Sequence, residues 1–172
     1  LPAEFLPVLE TPAFAKLARI RQLGPAYLAY PGATHTRYAH SLGVFEMAKR
    51  TLASFEREGM PVFVTETGAR SFLAAALVHD VGHFPYAHSL KELPLRDHEA
   101  LTADAVMESP LCERLEAAGA EPEAVAAIVD HSRKSRDRET DFFRLCLSGV
   151  LDPDKLDYLT RDAYFCGVPY GV

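Results

Sequence analysis

Apolar residues recur along this chain at helical rather than alternating spacing. Phe14, Leu17, Ile20 and Leu23 share one face of a helix opened by Thr11 as N-cap and Pro12 at the first helical position, with Gly24 as its stop. The stretch PAYLAYPGATHT, residues 25 to 36, reads as a loop. Leu42, Phe45, Ala48, Leu52 and Phe55 then predict a helix from about Tyr38 to Arg57, broken by Gly59 and Pro61. MPVFVT reads as a short strand or extended connector, and a third helix is expected from about Thr67 to Val81, ended by Gly82. Gly82, Pro85 and Pro94 make 82 to 96 mostly irregular. Further helices are expected from an Asp97 N-cap to about Glu108, from Pro110 for a short run, and from Pro122 towards His131. A final pair covers about 141 to 149 and 153 to 165, divided by Gly149 and an Asp152-Pro153 cap. The fold class is all-α. A chain of 172 residues without repeat, low-complexity tract or linker is read as one domain over 1 to 172.

The third helix carries the chemical signal. Residues 72 to 78 in FLAAALVHDVGH are apolar on every face, which predicts a buried helix, and that helix ends in His79-Asp80. Two ionisable groups there need a partner, and a metal ion is the cheapest one. Adjacent helical residues point about 100° apart, so both reach one ion only near a helix end, where Gly82 frees the backbone to turn. His40 in RYAHSLG, His83 and His88 in GHFPYAH, and Asp154 in DPDKLDYLTRD supply further nitrogen and oxygen donors. Such a set suits Mn, Fe, Ni, Co or Zn and usually serves hydrolysis.

In the last helix, Asp154, Tyr158, Arg161 and Asp162 line one face, with Asp157 at its border, while Leu156, Leu159, Ala163 and Phe165 are expected to pack in other directions. A tyrosine between acids, following Lys155, looks more like a ligand surface than a salt-bridge lattice. His98 precedes Glu99, and a His beside a carboxylate can be held in one tautomer for acid-base work. Four of the seven His residues fall between 79 and 98, which is hard to explain by structural roles alone.

Composition narrows the partners. The 48% apolar and 24% charged shares are those of a globular protein, with no apolar run long enough for a membrane span and no secretory pattern. A net charge of −6 argues against a broad nucleic-acid surface, although a locally positive pocket would accept a small anion. The basic run of Arg133, Lys134, Arg136 and Arg138 reads as a solvated loop. Cys112, Cys146 and Cys166 form neither a disulfide framework nor a thiolate metal site, which places the chain in a reducing, cytoplasmic compartment. The ends, LPAEFLP and GVPYGV, suggest a core excised from a longer protein.

Four stretches, IRQLGPAYLAYPGATHTRYAHSLGV, ALVHDVGHFPYAH, DHE at 97 to 99, and LDPDKLDYLTRDAYFCGVPYG, resemble the HD-domain phosphohydrolases, and within them the deoxynucleoside triphosphate triphosphohydrolase branch. The resemblance implies a single HD-domain helical bundle around a metal site, with His40, His79, Asp80 and Asp154 as ligands of a divalent ion, Mg included among the candidates. Asp154 is chosen over Asp157 because the family's ligand Asp directly precedes the Lys of its DK pair. It further implies Gln22 on the deoxyribose, Arg37 and Lys155 on the phosphates, and Tyr158 and Asp162 in the sugar and phosphate region. His83, His88, His98 and Glu99 become the catalytic group. The implied reaction is attack of water at the α-phosphorus while a His protonates the departing 5′ oxygen, giving deoxynucleoside and triphosphate. The Tyr and Arg contacts that complete the branch's sugar and phosphate sites have no counterpart within these residues. Homo-oligomerisation is also implied. The alternatives are another phosphoester substrate, such as a nucleoside monophosphate or cyclic nucleotide, and a nucleotide-sensing module without turnover.

Overall fold

The helix Glu66–Val78, buried at every position from Ala74 to Val78, organises the rest. In a computed structural model that describes residues 1–85 and 95–169, nine α-helices form among the described residues, and β-pairing is limited to one isolated bridge, Arg21 to Thr36. They are α1 (Leu6–Leu9), α2 (Pro12–Ala15), α3 (Arg37–Glu58), α4 (Glu66–Val78), α5 (His98–Val106), α6 (Leu111–Ala117), α7 (Pro122–Val129), α8 (Arg138–Leu147) and α9 (Pro153–Cys166). No described helix is long and apolar enough to cross a membrane.

In α4, Phe72, Ala74, Ala75, Ala76, Leu77 and Val78 are all buried. A helix apolar all round must be enclosed, and α3, α7 and α8 enclose this one. The Thr65 hydroxyl starts it by accepting from the Gly68 amide at 2.9 Å. Phe72 stacks on Phe143 of α8 with centroids 4.9 Å apart, and Phe45 of α3 meets Phe5 edge-on at 5.2 Å. Each such buried ring contributes on the order of 1.5–3 kcal/mol. The second long contact of α3 is with α9.

The second and last helices lie within a residue of their expected ends, and the others differ for local reasons. The continuous helix expected from Pro12 to Gly24 is instead α2 followed by a 3-10 turn, Lys16–Arg19. Ile20 is extended there, so that its carbonyl accepts from the Arg37 amide at 2.9 Å and the Gln22 amide donates to the His35 carbonyl at 3.0 Å. That pairing docks the segment on the start of α3 and leaves Phe14, Leu17 and Ile20 buried as their spacing required, with Leu23 outside the helix. The loop at 25 to 36 contains most of a further 3-10 turn, Gly24–Leu28. MPVFVT forms no strand; Val64 turns back onto the Pro61 carbonyl. The third helix stops at Val78, three residues early, because the His79 carbonyl accepts from the Thr102 hydroxyl at 2.8 Å. Asp97 occupies the N-cap position of α5 without a side-chain capping bond.

Helix α8 begins before 141 because Asp137 caps it, accepting from the Thr140 amide at 2.7 Å. That amide bond, partly opposed by desolvation, holds the Asp137 carboxyl below its usual range. Asp137→Ala is expected to cost about 1 kcal/mol by denaturant titration at pH 7. Since the folded-state pKa is depressed, the contribution is present above the unfolded value of about 3.9 and fades as pH falls through the folded value. The difference between parent and variant should therefore shrink towards pH 3.

Candidate functional site

Three elements converge on one polar cluster. The first turn of α3 contributes Arg37 and His40, the turn after α4 contributes His79, Asp80 and His83, and α9 contributes Asp154 and Asp157. His40, Asp80 and His83 are buried, and His79 is half-buried. The Nε2 of His40 lies 2.9 Å from Asp154 Oδ1 and 3.9 Å from Asp80 Oδ2. The Nε2 of His79 lies 3.4 Å from Asp80 Oδ1 and 3.8 Å from Asp154 Oδ1. The rings of His40 and His79 meet edge-on, at 79°.

Whether these atoms suit a cation is decided by His79. Its Nδ1 donates to the Ala76 carbonyl at 2.9 Å, so in the neutral ring Nε2 carries a lone pair. That Nε2 is buried, has no hydrogen-bond partner among the described residues, and faces two carboxylates. A lone pair aimed at two anionic oxygens is repulsive unless a positive charge sits between them, and a divalent ion meets that requirement. His40, His79 and Asp80 offer donor atoms within 4.8 Å of one another, and a second triad of Asp80, His83 and His98 does the same. The donors are imidazole and carboxylate only, which suits the borderline and harder divalent metals.

The electrostatics are those of buried opposites. Burial works against a charged His40, but hydrogen bonds to Asp154 and Asp157 and the nearby Asp80 raise its pKa to about 9. Burial would raise the Asp80 carboxyl, yet His79, His83 and Arg37 together hold it well below the usual range. The Arg37 guanidinium donates to Asp80 Oδ2 at 2.7 Å with both side chains buried.

Beside the cluster opens a cavity of about 600 Å³, bordered by His79, His98, Glu99, Asp154 and Lys155, and further by His131 and Ser148. His98 Nδ1 is 3.1 Å from Glu99, and its ring stacks on His83 at 3.8 Å. His83 Nε2 in turn is 3.2 Å from Asp80 Oδ1. Lys155 donates to the Gly149 carbonyl at 2.9 Å and pairs with Asp152. Asp162 accepts from His35 at 2.7 Å. Gln22 carries a buried Oε1 without a partner, and Tyr158 is half-buried on α9. His88 lies outside the described residues.

One contributor went unnamed in the sequence pattern, and another was named without a role. His35 is buried, stacked on Phe165 at 4.5 Å; its only signal was a second His in the loop before α3. Asp157 proved buried and bonded to His40 Nδ1 at 2.8 Å, a role its spacing, one turn from Asp154, was compatible with. One packing expectation was wrong. Leu156 and Leu159 are 41% and 36% exposed, because α9 turns its carboxylates rather than its leucines towards α3. Gly82 is not in a left-handed conformation; a Cβ there would lie 2.1 Å from the His98 carbonyl oxygen and 2.5 Å from the Thr102 amide. It is required because the turn after α4 presses on the first turns of α5. The basic run carries no anion cluster: Arg133 pairs with Asp104, Arg136 with Glu121, and Arg138 covers the Phe63 ring.

The all-helical domain thus gathers His and Asp from its first long helix, the turn after α4 and its last helix into a cluster that could hold a divalent cation. The chain belongs to the HD-domain family, whose model, described as "HD domain", matches residues 37–163. Over 96% of its length it is 36% identical to the uncharacterized protein MG461 homolog of Mycoplasma pneumoniae, covering 40% of that protein. It is 28% identical, over 93% of its length, to the deoxynucleoside triphosphate triphosphohydrolase SAMHD1 of Danio rerio, covering 31% of it. Among solved structures, a hypothetical protein from Aquifex aeolicus superposes with a TM-score of 0.81 at 34% identity, covering all of this chain and 45% of the other. A phosphohydrolase from Bacteroides thetaiotaomicron gives 0.73 at 31% identity, over 93% of this chain and 38% of the other. The chain thus spans about 40% of the length of the curated relatives it matches best among these.

Gly82→Ala is expected to destabilise the domain by about 1–3 kcal/mol, since backbone rather than a flexible side chain blocks the added methyl. A shift in the urea midpoint at unchanged slope would show it; an unchanged midpoint would mean that the turn and α5 separate freely.

Proposed function

We propose that the chain is the catalytic core of a metal-dependent phosphohydrolase acting on nucleotides, with deoxynucleoside triphosphates as substrate and deoxynucleoside and inorganic triphosphate as products. The observation that carries this is the partnerless Nε2 of His79 facing Asp80 and Asp154 beside His40, at the wall of a cavity of about 600 Å³. The volume is within the range of small-molecule sites. Membership of the HD-domain family and the similarity to a triphosphohydrolase and to a phosphohydrolase support the same reading.

In this reading His40, His79, Asp80 and Asp154 hold the divalent ion. When bound, such an ion supplies Lewis acidity to a phosphoryl oxygen and to the attacking water. Arg37, which the resemblance placed on the phosphates, is buried on Asp80 and in this reading keeps that carboxylate ionised and aimed. His98 borders the cavity with its Nδ1 3.1 Å from Glu99, and in this reading its ring exchanges a proton with the departing 5′ oxygen. His83, stacked on His98 and paired with Asp80, ties that ring to the cluster; His88 joins this acid-base group in the proposal. Gln22, Tyr158 and Asp162 are assigned to the sugar and phosphate region, and Lys155 to the phosphate tail.

The cavity lining favours one second reading. Asp97, Glu99, Asp130, Asp152 and Asp154 all border it, whereas Lys155 is its one lysine among the described residues and is already paired with Asp152. A substrate with fewer negative charges, such as a nucleoside monophosphate or cyclic nucleotide, meets less repulsion there.

Incubation of Mn2+-loaded protein with the four deoxynucleoside triphosphates, resolved by anion-exchange chromatography, tests the proposal. Equimolar deoxynucleoside and triphosphate are expected from the parent. The His79→Ala/Asp80→Ala variant should lose bound metal and turnover together, and His98→Ala should lose at least about 100-fold in turnover while keeping its metal. Hydrolysis of monophosphate or cyclic nucleotide alone would transfer the assignment to the second reading. Bound metal without hydrolysis of any of these would sink catalysis by this chain.

A further inference from the structure

Asp157 is placed to govern the metal centre without entering it. The Nδ1 of His40 is 2.8 Å from Asp157 Oδ2, on the side of the ring opposite the Nε2 that faces Asp154 and Asp80. A carboxylate oxygen can only accept, so it fixes the proton of a neutral His40 on Nδ1 and leaves Nε2 with the lone pair. Asp157 is itself held: Arg161, one turn further along α9, donates through Nε to Oδ2 and through Nη2 to Oδ1, both at 2.8 Å. This fork leaves the carboxylate little freedom to rotate.

The opposite helix is shaped around the pair. Gly43 lies three residues after His40 in the interior of α3, where glycine costs about 0.5–1 kcal/mol relative to alanine. A Cβ at Gly43 would stand 1.8 Å from Asp157 Oδ1 and 2.4 Å from Arg161 Nη2. The glycine therefore provides the space through which the α9 carboxylate reaches the α3 imidazole.

We infer that Asp157 is the positioning residue of the metal centre, setting the tautomer and ring orientation of His40, and that Arg161 and Gly43 are the anchor and the clearance that keep it there. The inference rests on the reading of His40 as a metal ligand. Partners of this kind, when lost, typically lower metal affinity 10–100-fold.

Titration of the apoprotein with Co2+, read by visible ligand-field absorption and by competition with a chromogenic chelator, tests it without any substrate. Asp157→Asn keeps the size of the side chain and removes its charge. It should bind Co2+ about 10-fold or more weakly, with a shifted absorption envelope. Gly43→Ala should change affinity and envelope in the same direction, though it alters neither a ligand nor Asp157 itself. A purely structural role would lower thermal stability and leave both optical readouts alone. Parental affinity and spectrum in Asp157→Asn would overturn the inference, provided that His40→Ala weakens Co2+ binding. Undiminished binding in His40→Ala would instead overturn the metal-centre reading beneath it. Should Gly43→Ala not fold, Asp157→Asn together with Arg161→Met decides the question, since the latter frees the carboxylate without touching the imidazole contact.

Discussion

Three carboxylates, those of Asp80, Asp154 and Asp157, are brought within reach of one imidazole, His40, where α3, the turn after α4 and α9 meet. Two of them, on Asp80 and Asp157, are buried, and carboxylates so close repel one another, so the cluster calls for positive charge placed among them. Arg37 and Arg161 supply part of it, and a divalent ion beside the Nε2 of His79 would supply the rest. The arrangement of the outer helices follows from this need. Helix α9 packs on α3 through polar atoms, and α4 ends where its last apolar residue, Val78, gives way to His79.

The inversion of α9 shows how strongly that constraint acts. An amphipathic helix ordinarily buries its leucines and exposes its acids. Here Asp157 is buried while Leu156, Leu159 and Tyr164 are exposed, and Leu151 and Val150 before the helix are exposed as well. Only Ala163 of the last two turns is buried. The polarity of the helix is set by the charge cluster it completes, and its apolar residues are left to the outer face.

How far the sequence could be read follows from the range of the forces involved. Helix class, the ends of α3 and α9 and the buried character of α4 depend on periodicity, caps and composition, all of which act within a few residues. The convergence of His40, His79, Asp80 and Asp154 was legible because an apolar helix ending in His-Asp signals a buried partner, and the family resemblance supplied the other two residues. What escaped the reading depends on contacts between distant segments. The break after Arg19 is made by Ile20 and Gln22 pairing with the backbone of Arg37 and His35. The early end of α4 is made by Thr102, and the need for Gly82 by the close approach of α5. Asp157 was passed over because the family's ligand Asp directly precedes the Lys of its DK pair, and spacing alone cannot show that its carboxylate reaches the Nδ1 of His40.

The same geometry separates the two His-Asp triads into different kinds of chemistry. An imidazole nitrogen directs its lone pair in the plane of its ring, so two histidines share an ion only where their ring planes intersect near both nitrogens. His40 and His79 cross at 79°, which permits this. His83 and His98 stack at 19° with centroids 3.8 Å apart, so their planes run side by side and no point between them lies in both. The triad of Asp80, His83 and His98 therefore lacks the approach that a shared ion requires, even though its donor atoms are close. The stack touches Asp80 at one end and Glu99 at the other. Asp80 is the joint between the two, with Oδ2 towards Arg37 and His40 and Oδ1 towards His79 and His83, so that a change in charge at either part is felt by the other through one carboxylate.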